Sequence, residues 1–217
     1  ELTLDEKASL TAGDGLFATA AIERLGIPRV NVTDGPNGAR GSDLPGMGGT
    51  PSTCIPCGSA IGATWDPELA EQLGSLVGRE ALDRGCRGLL APTVNLHRHP
   101  LAGRNFECYS EDPLLSGRLA AGYVRGVQAN GVFATVKHFV GNDAEFERGS
   151  ISSVIDERAL RELYLLPFEL AVKEGGALGI MTAYNRLNGR WLTEQSALLV
   201  DLLRDEWGFE GLVMTDW

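Results

Sequence analysis

Charged and aromatic side chains recur where predicted strands of this chain end. They are Asp34, Arg104, Lys137, His138, Arg148, Tyr184, Asp216 and Trp217. Carboxylate, ammonium, guanidinium and imidazole groups together supply the donors and acceptors that the several hydroxyls of one sugar ring require. An indole packs against the apolar C–H face of such a ring, and an ionised carboxylate can act as a nucleophile. The residue types therefore favour a site that binds a carbohydrate and attacks it covalently.

Asp216 is the predicted nucleophile. It closely follows the apolar run 212–214, which predicts a short strand buried on both faces. In parallel sheets, ligands bind at the carboxyl ends of the strands, where a catalytic carboxylate would lie. We expect Lys137, Arg104 and Arg148 to surround Asp216, to lower its pKa and so to keep it ionised.

The elements that must position these residues alternate between strand and helix. Strands are predicted at 30–33, 89–96, 133–139, 178–183 and 212–214, with 151–155 ambiguous. The predicted helices are capped by Asp66, Asp112, Asp156 and Thr193, and the third is kinked at Pro167. Such alternation indicates βαβ units and a parallel sheet. A doubly wound sheet and a (β/α)₈ barrel both fit, but the sequence has no GxGxxG turn before a helix. We favour the barrel, of which 217 residues would form the larger part.

The composition is that of a globular protein and argues against two classes of partner. Hydrophobic residues make up 43% of the chain and charged residues 22%, as in ordinary globular proteins. The formal net charge of −10 argues against nucleic acid or an anionic membrane as a partner. The N-terminus has neither an initiator Met nor a signal peptide. We therefore expect a segment of a longer chain, whose compartment stays open.

The cysteines and histidines do not predict a metal or redox site. Cys54 and Cys57 have the CxxC spacing but lie in a predicted loop, and Cys86 and Cys108 are too far apart in sequence to complete a zinc site. Buried thiols or an incidental disulfide are the better interpretation. The two histidines at positions 97 and 99 have no third ligand nearby in sequence. We expect neither a metal nor a cofactor.

Five groups of motifs together resemble glycoside hydrolase family 3. They are Asp34-Gly-Pro-Asn-Gly-Ala-Arg40, Gly103-Arg-Asn-Phe-Glu107 with Ser110-Glu-Asp-Pro113, Lys137-His-Phe139 with 142–148, Met181-Thr-Ala-Tyr-Asn185, and Met214-Thr-Asp-Trp217. The resemblance runs essentially from end to end and in the right order. Residues 51–58 are most similar to the β-glucosidase branch of bacteria and fungi. Val140-Gly-Asn-Asp143 stands where the N-acetylglucosaminidase branch typically has a Gly-His pair.

This resemblance implies a fold and an activity. Residues 1–217 would be the N-terminal TIM-like (β/α)₈ barrel domain of a retaining, exo-acting hydrolase that releases non-reducing terminal β-D-glucose. Asp216 matches the nucleophile that forms the covalent glycosyl-enzyme intermediate. The residues that match the substrate-binding set are Asp34, Arg104, Lys137, His138, Arg148, Met181, Tyr184 and Trp217. Alternatives are a β-xylosidase or natural-product glycosidase of the same family, or a non-catalytic sugar-binding barrel.

The resemblance also implies that half of the catalytic pair lies elsewhere. A retaining hydrolase needs a second carboxyl group as general acid/base, and in this family a later α/β sandwich domain of the same chain supplies it. Glu107, Asp143, Glu145 and Glu147 match no such role. We therefore expect the segment alone to be nearly inactive on unactivated substrates.

Overall fold

Strands and helices alternate along the computed structural model, which describes residues 1–41 and 51–217. The strands are β1 (Val32–Asp34), β2 (Gly88–Leu90), β3 (Phe133–Phe139), β4 (Ser152–Ser153), β5 (Gly179–Thr182), β6 (Arg186–Leu187), β7 (Arg190–Trp191) and β8 (Leu212–Thr215). The α-helices are α1 (Leu4–Ala12), α2 (Gly58–Gly62), α3 (Pro67–Asp83), α4 (Pro113–Gln128), α5 (Glu157–Ala159) and α6 (Leu166–Lys173). Leu160–Tyr164 and Ala197–Glu206 are π-helical, and 3₁₀ turns occupy Glu23–Leu25, Asn105–Glu107 and Leu192–Glu194. None of these helices has the length and apolar character needed to cross a bilayer.

The main sheet of the described residues has five parallel strands in the order β1-β2-β3-β5-β8. Each strand pairs with the next strand of that sheet along the chain, without the reversal of order that defines a doubly wound sheet. The sheet is curled in the form of a half-barrel. The predicted fold class, an α/β chain with a TIM-like parallel sheet, is confirmed.

Three of the four predicted helix caps are present. Asp66, Asp112 and Asp156 accept hydrogen bonds from the backbone N–H three residues later, at 2.9 to 3.0 Å. The cap predicted at Thr193 was wrong. Leu192–Glu194 is a separate 3₁₀ turn that closes at Gln195, where the backbone leaves the helical region, and the π-helix begins afresh after it.

The helix predicted from Asp156 is divided rather than merely kinked. α5 passes into the π-helical turn Leu160–Tyr164, and α6 then begins with Pro167 in its first turn. Proline has no N–H to donate, so it is tolerated at the start of a helix but interrupts the interior. The π-helical turn Leu160–Tyr164 ends the helix that begins at α5, and α6 starts a new one with Pro167 near its beginning.

The ambiguous run 151–155 contributes β4 to a second, three-stranded sheet. β4 pairs parallel with β6, and β6 pairs antiparallel with β7. Asn188, in the β6–β7 turn, fixes the end of this run through two hydrogen bonds to the backbone of Ile155. Its Nδ2 donates to Ile155 O at 2.8 Å, and its Oδ1 accepts from Ile155 N at 3.0 Å.

The main core lies between the sheet and α3, α4 and α6, and its side chains include Leu89, Val124, Phe139, Phe168 and Ile180. Glycines let α3 and α4 approach closely. A Cβ at Gly126 of α4 would lie 1.9 Å from Glu71 O of α3, and one at Gly74 of α3 would lie 2.3 Å from Tyr123 O of α4. Because backbone atoms stand at these points, a larger side chain could be accommodated only by separating the two helices.

β8 is less buried than its sequence predicts. Leu212 is 47% exposed, and Val213 and Met214 are only partly buried. In the described residues β8 pairs with β5 alone and forms an edge of the main sheet. The prediction of a strand buried on both faces was therefore wrong for this chain, because no described strand pairs with the outer edge of β8 and its faces are only partly covered.

Candidate active site

A cavity of about 470 Å³ opens at the carboxyl ends of the main-sheet strands. It brings together all nine side chains selected from the sequence, namely Asp34, Arg104, Lys137, His138, Arg148, Met181, Tyr184, Asp216 and Trp217. Leu16, Phe17 and Leu90 complete its lining. The carboxyl ends of parallel strands meet at one edge of a sheet, which is why residues as distant in sequence as Asp34 and Trp217 share this space.

Lys137 and His138 both line the cavity although they are consecutive residues of β3. In a regular strand, successive side chains point to opposite faces. The pairing of β3 with β5 is irregular between Val136 and Phe139, where the register shifts. Such a bulge redirects side chains, and it allows one strand to present two adjacent polar groups to the same site.

Asp34 is held as a rigid acceptor at one side of the cavity. Lys137 Nζ donates to Asp34 Oδ1 at 2.8 Å, and Arg40 Nη2 lies 3.6 Å from Asp34 Oδ2. Burial works against ionisation of this carboxyl. The positive charge and hydrogen bond of Lys137, with smaller effects of Arg40 and Arg104, outweigh burial and lower the pKa of Asp34 below its usual value.

Two arginines at the cavity wall share one carboxylate. Arg104 Nη1 donates to Glu145 Oε1 at 3.3 Å, and Arg148 Nη1 donates to Glu145 Oε2 at 3.1 Å. Asn142 Nδ2 adds a 2.7 Å bond to Glu145 Oε1, and Arg104 Nε also donates to the buried Glu107. Both guanidinium groups are thereby fixed, with donors left to face the cavity.

Asp216 carries an unsatisfied carboxylate oxygen. Its Oδ2 is buried and accepts no hydrogen bond from any described residue, and it lies 3.5 Å from His138 Nε2. Burial raises the pKa of Asp216 above its usual value, although the charges of Lys137, Arg104 and Arg148 oppose the rise. The predicted cations are in place, but the predicted lowering of the pKa was wrong, because the loss of hydration is the larger effect.

His138 is a neutral imidazole at neutral pH. It is buried, and burial lowers its pKa well below the usual range, an effect that Arg104, Lys137 and Arg148 reinforce. Asn95, which sequence reasoning did not assign to the site, contacts both the backbone and the ring of His138.

The wall of the cavity beside Asp216 is aromatic. Trp217 Nε1 donates to Leu16 O at 2.8 Å, and the Trp217 ring packs against Phe17 with centroids 5.4 Å apart. On the other side, the Arg148 guanidinium lies 4.8 Å from the ring centroid of Tyr184. Sequence reasoning missed Leu16 and Phe17, since they precede the first strand and belong to no periodic pattern.

Three of the four other acidic side chains near the cavity already have partners. Asp143 accepts from Leu96 N, and burial raises its pKa to about 6. Glu107 and Glu145 are bound to Arg104. Glu147 is exposed. None of these four carboxyl groups lines the cavity.

The cysteines are unpaired thiols. Cys86 and Cys108 are buried, whereas Cys54 is exposed and Cys57 is half-buried, so the expectation of buried thiols holds for two of the four.

His97 Nε2 lies 2.8 Å from Asn105 O and braces the loop that carries Arg104. Across residues 1–41 and 51–217, no cluster of three or more His, Cys, Asp or Glu side chains is arranged to hold a metal ion.

A half-barrel of parallel strands with a polar cavity at its carboxyl edge is the arrangement of a TIM-barrel-type domain with its site at that edge. Residues 15–217 match the Glycosyl hydrolase family 3 N terminal domain. The chain therefore belongs to glycosyl hydrolase family 3.

Relatives of known name agree with this assignment. A beta-glucosidase of Rhizobium radiobacter is 55% identical over 217 residues, which are 100% of this chain and 26% of that protein. The crystal structure of a beta-glucosidase from Kluyveromyces marxianus in complex with glucose is 48% identical with a TM-score of 0.97, covering 100% of this chain and 26% of that one. Beta-glucosidase 3B from Thermotoga neapolitana in complex with glucose is 43% identical with a TM-score of 0.92, covering 100% and 33%. The chain thus spans about a quarter to a third of these proteins.

Proposed function

We propose that the protein containing this chain is a retaining, exo-acting β-glucosidase that releases non-reducing terminal β-D-glucose. The observation that carries the proposal is the free oxygen of Asp216, which is buried in a 470 Å³ cavity among fixed hydrogen-bonding groups. A carboxylate oxygen without a partner retains the lone pair that attack on an anomeric carbon requires.

The polar side chains around Asp216 are proposed to bind the hydroxyls of one glucose ring. Lys137 and Arg104 donate, Asp34 accepts, and each is held by a neighbour before substrate arrives. Such preorganisation reduces the free energy that binding must spend on ordering side chains. The resemblance of its motif to the family implies that Asp34 binds the distal hydroxyls of a hexose, which favours glucoside over xyloside.

Trp217 and Phe17 are proposed to form the apolar wall of the sugar subsite. The indole is oriented by its bond to Leu16 O and by its contact with Phe17. Its face can then cover the C–H surface of the sugar while the opposite walls bind hydroxyls. Met181 and Tyr184 line the cavity near Asp216 and would complete its shape.

In the proposed reaction, Asp216 attacks the anomeric carbon as the bond to the leaving-group oxygen breaks, and that oxygen takes a proton from a general acid. The resulting glycosyl ester is hydrolysed by water, which the same group then activates as a base. The carboxyl groups of Glu107, Asp143 and Glu145 are already engaged by neighbours. We propose that another part of the full-length protein supplies the acid/base, and the resemblance to the family implies a C-terminal α/β sandwich domain for that role.

Covalent trapping tests the proposal. Full-length protein is incubated with a 2-deoxy-2-fluoro-β-glucoside that has an activated leaving group, digested, and analysed by mass spectrometry. The label is expected on Asp216, and Asp216→Asn protein is expected to remain unlabelled. A label on another residue, or full activity of Asp216→Asn, contradicts the assignment. Sugar binding with no hydrolysis would favour the non-catalytic barrel, and faster cleavage of an aryl β-xyloside than of the matching glucoside would favour a xylosidase.

A further inference from the structure

Asn95 holds His138 through both of its backbone polar groups. Asn95 Nδ2 donates to His138 O at 3.1 Å, and Asn95 Oδ1 accepts from His138 N at 2.9 Å. The two contacts fix which way the amide points. If the amide were reversed, its NH₂ group would face the backbone N–H of His138 and its oxygen would face the backbone carbonyl of His138. Both pairs of groups would then be buried without a hydrogen bond. Asn95 is 4% exposed, so water does not offer its amide an alternative.

The fixed amide decides which nitrogen of His138 carries the proton. Asn95 Oδ1 also lies 3.3 Å from His138 Nδ1. An amide oxygen only accepts hydrogen bonds, so this contact is a hydrogen bond only when Nδ1 is protonated. His138 is neutral because burial and three nearby cations lower its pKa, and a neutral imidazole has one protonated nitrogen. Nε2 is then left with a free lone pair.

The opposite tautomer has weaker support. A proton on Nε2 would point towards Asp216, but the 3.5 Å contact between Nε2 and Asp216 Oδ2 does not have hydrogen-bond geometry, and that oxygen has no donor among the described residues. It would also leave the lone pair of Nδ1 facing that of Asn95 Oδ1. The contact that satisfies hydrogen-bond geometry is the one to Asn95.

A hydrogen-bond acceptor at His138 Nε2 complements the cationic side chains of the cavity. Lys137, Arg104 and Arg148 can only donate, so a sugar hydroxyl that accepts from one of them still has its own proton to place. Asp34 accepts at one side of the cavity, where one of its two oxygens already accepts from Lys137. The lone pair of His138 Nε2 provides a second, uncharged acceptor beside the proposed nucleophile.

We propose that Asn95 is a positioning residue that keeps His138 in the Nδ1–H tautomer, so that the unprotonated Nε2 accepts a hydrogen bond from a sugar hydroxyl next to Asp216. The tautomer follows from the contacts of Asn95 together with the neutral state of His138. The role of Nε2 towards sugar rests on the proposed function.

The tautomer is measured in the ligand-free, full-length wild-type protein. Protein labelled with ¹⁵N-histidine is studied by long-range ¹H–¹⁵N correlation, and the His138 signals are identified by their loss in a His138→Gln sample. A protonated Nδ1 with an unprotonated Nε2 is expected. The Nε2–H tautomer, or an imidazolium at neutral pH, would overturn the proposal, and this measurement needs no variant at position 95.

The positioning role is measured in Asn95→Ala. Losing one oriented acceptor should weaken glucose binding by calorimetry, and raise KM for an aryl β-glucoside, by roughly tenfold, with kcat changed much less. The His138 signals should also show a mixture of tautomers. Unchanged glucose affinity would overturn the positioning role.

Asn188→Ala is the matched control, because Asn188 grips the backbone of Ile155 by the same two bonds, away from the cavity. It should lower stability without changing KM, glucose affinity or the His138 signals. An equal rise of KM in this control would show a general loss of stability and overturn the specific role of Asn95.

The outcomes separate this inference from the proposed function. If wild-type protein binds no glucose and cleaves no β-glucoside, the proposed function fails, and the acceptor role of Nε2 fails with it. The ¹⁵N measurement then still decides the tautomer. If hydrolysis occurs but Nε2 carries the proton, the proposed function stands and the inference about Asn95 is overturned.

Discussion

Lys137 Nζ and Asp34 Oδ1 are 2.8 Å apart although 103 positions separate the two residues in the chain. Lys137 belongs to β3 and Asp34 to β1, and β2 lies between these strands. The ion pair thus crosses the carboxyl edge of a whole strand. The Lys137 side chain is almost fully buried, whereas that of Asp34 is 31% exposed, so the pair lines the cavity and still presents a carboxylate to a ligand.

This pair predicts a pH-dependent stability. The pKa of Asp34 is lowered on folding, so its contribution is fully present above the unfolded value of about 4 and is lost as pH falls through the folded value. The difference in Tm between wild type and Asp34→Asn should therefore be present at neutral pH and shrink in acid. Thermal unfolding of the full-length protein between neutral pH and about pH 3 measures it. Asp201→Asn, at an exposed position, is the control. A Tm difference between wild type and Asp34→Asn that stays constant over this pH range would contradict the prediction.

The pH dependence of catalysis should depend on the charge of Arg148. Burial raises the pKa of Asp216, and Arg148 is one of the cations that oppose the rise. Activity should fall in acid as Asp216 is protonated, and Arg148→Met should move that acid limb of kcat/KM to higher pH. Arg148→Lys retains the charge and should leave the limb near its wild-type position. The measurement is a pH profile with an activated aryl β-glucoside, and equal displacement in both variants would contradict the electrostatic explanation.

The acid/base should not be among the carboxyl groups of this chain. Glu145 holds two arginines, so Glu145→Gln should lower kcat/KM for cellobiose and for an activated aryl β-glucoside by similar factors, as expected when binding groups lose their support. Loss of a true general acid would instead affect cellobiose far more, because its leaving group needs protonation. Glu147→Gln, at an exposed position, serves as the control. Selective loss on cellobiose in Glu145→Gln would place the acid in this chain.

The α3–α4 contact should not tolerate a methyl group at Gly126. Alanine favours a helix over glycine by about 1 kcal/mol, but a Cβ at this position would lie 1.9 Å from Glu71 O. Forcing the helices apart should cost more than that gain, for a net loss of about 2 kcal/mol. Gly149→Ala is the control, since its Cβ would meet nothing within 4 Å. Denaturant unfolding measures both, and an unchanged or raised stability of Gly126→Ala would contradict the prediction.

The sheet, and the grouping of the nine candidate residues in one cavity, could be predicted because both depend on local signals. Asp66 and Asp112 predict helix starts because they cap them, and β3 has the bounds predicted from its sequence. Once the strands are parallel, the residues that end them must meet. The position of Thr193 shows the limit of such reasoning, since a suitable capping residue there begins only a short 3₁₀ turn.

The features that sequence reasoning missed depend on contacts between distant segments. The role of Asn95 requires the backbone of His138, 43 positions away, and the pKa of Asp216 depends on a balance between burial and charge that residue types alone do not give. Phe17 meets Trp217 across 200 positions of chain. No periodicity or spacing reports such pairs.

The half-exposed strand β8 has a practical consequence for handling this protein. An edge strand with unpaired backbone groups and accessible apolar side chains is a template for pairing with other copies, and Leu212 presents such a surface here. The chain produced on its own should self-associate along β8, in a manner that depends on its concentration and would obscure any measured rate. Light scattering at several concentrations would detect this behaviour. The strand that carries Asp216 therefore makes the full-length protein the sound material for kinetic work.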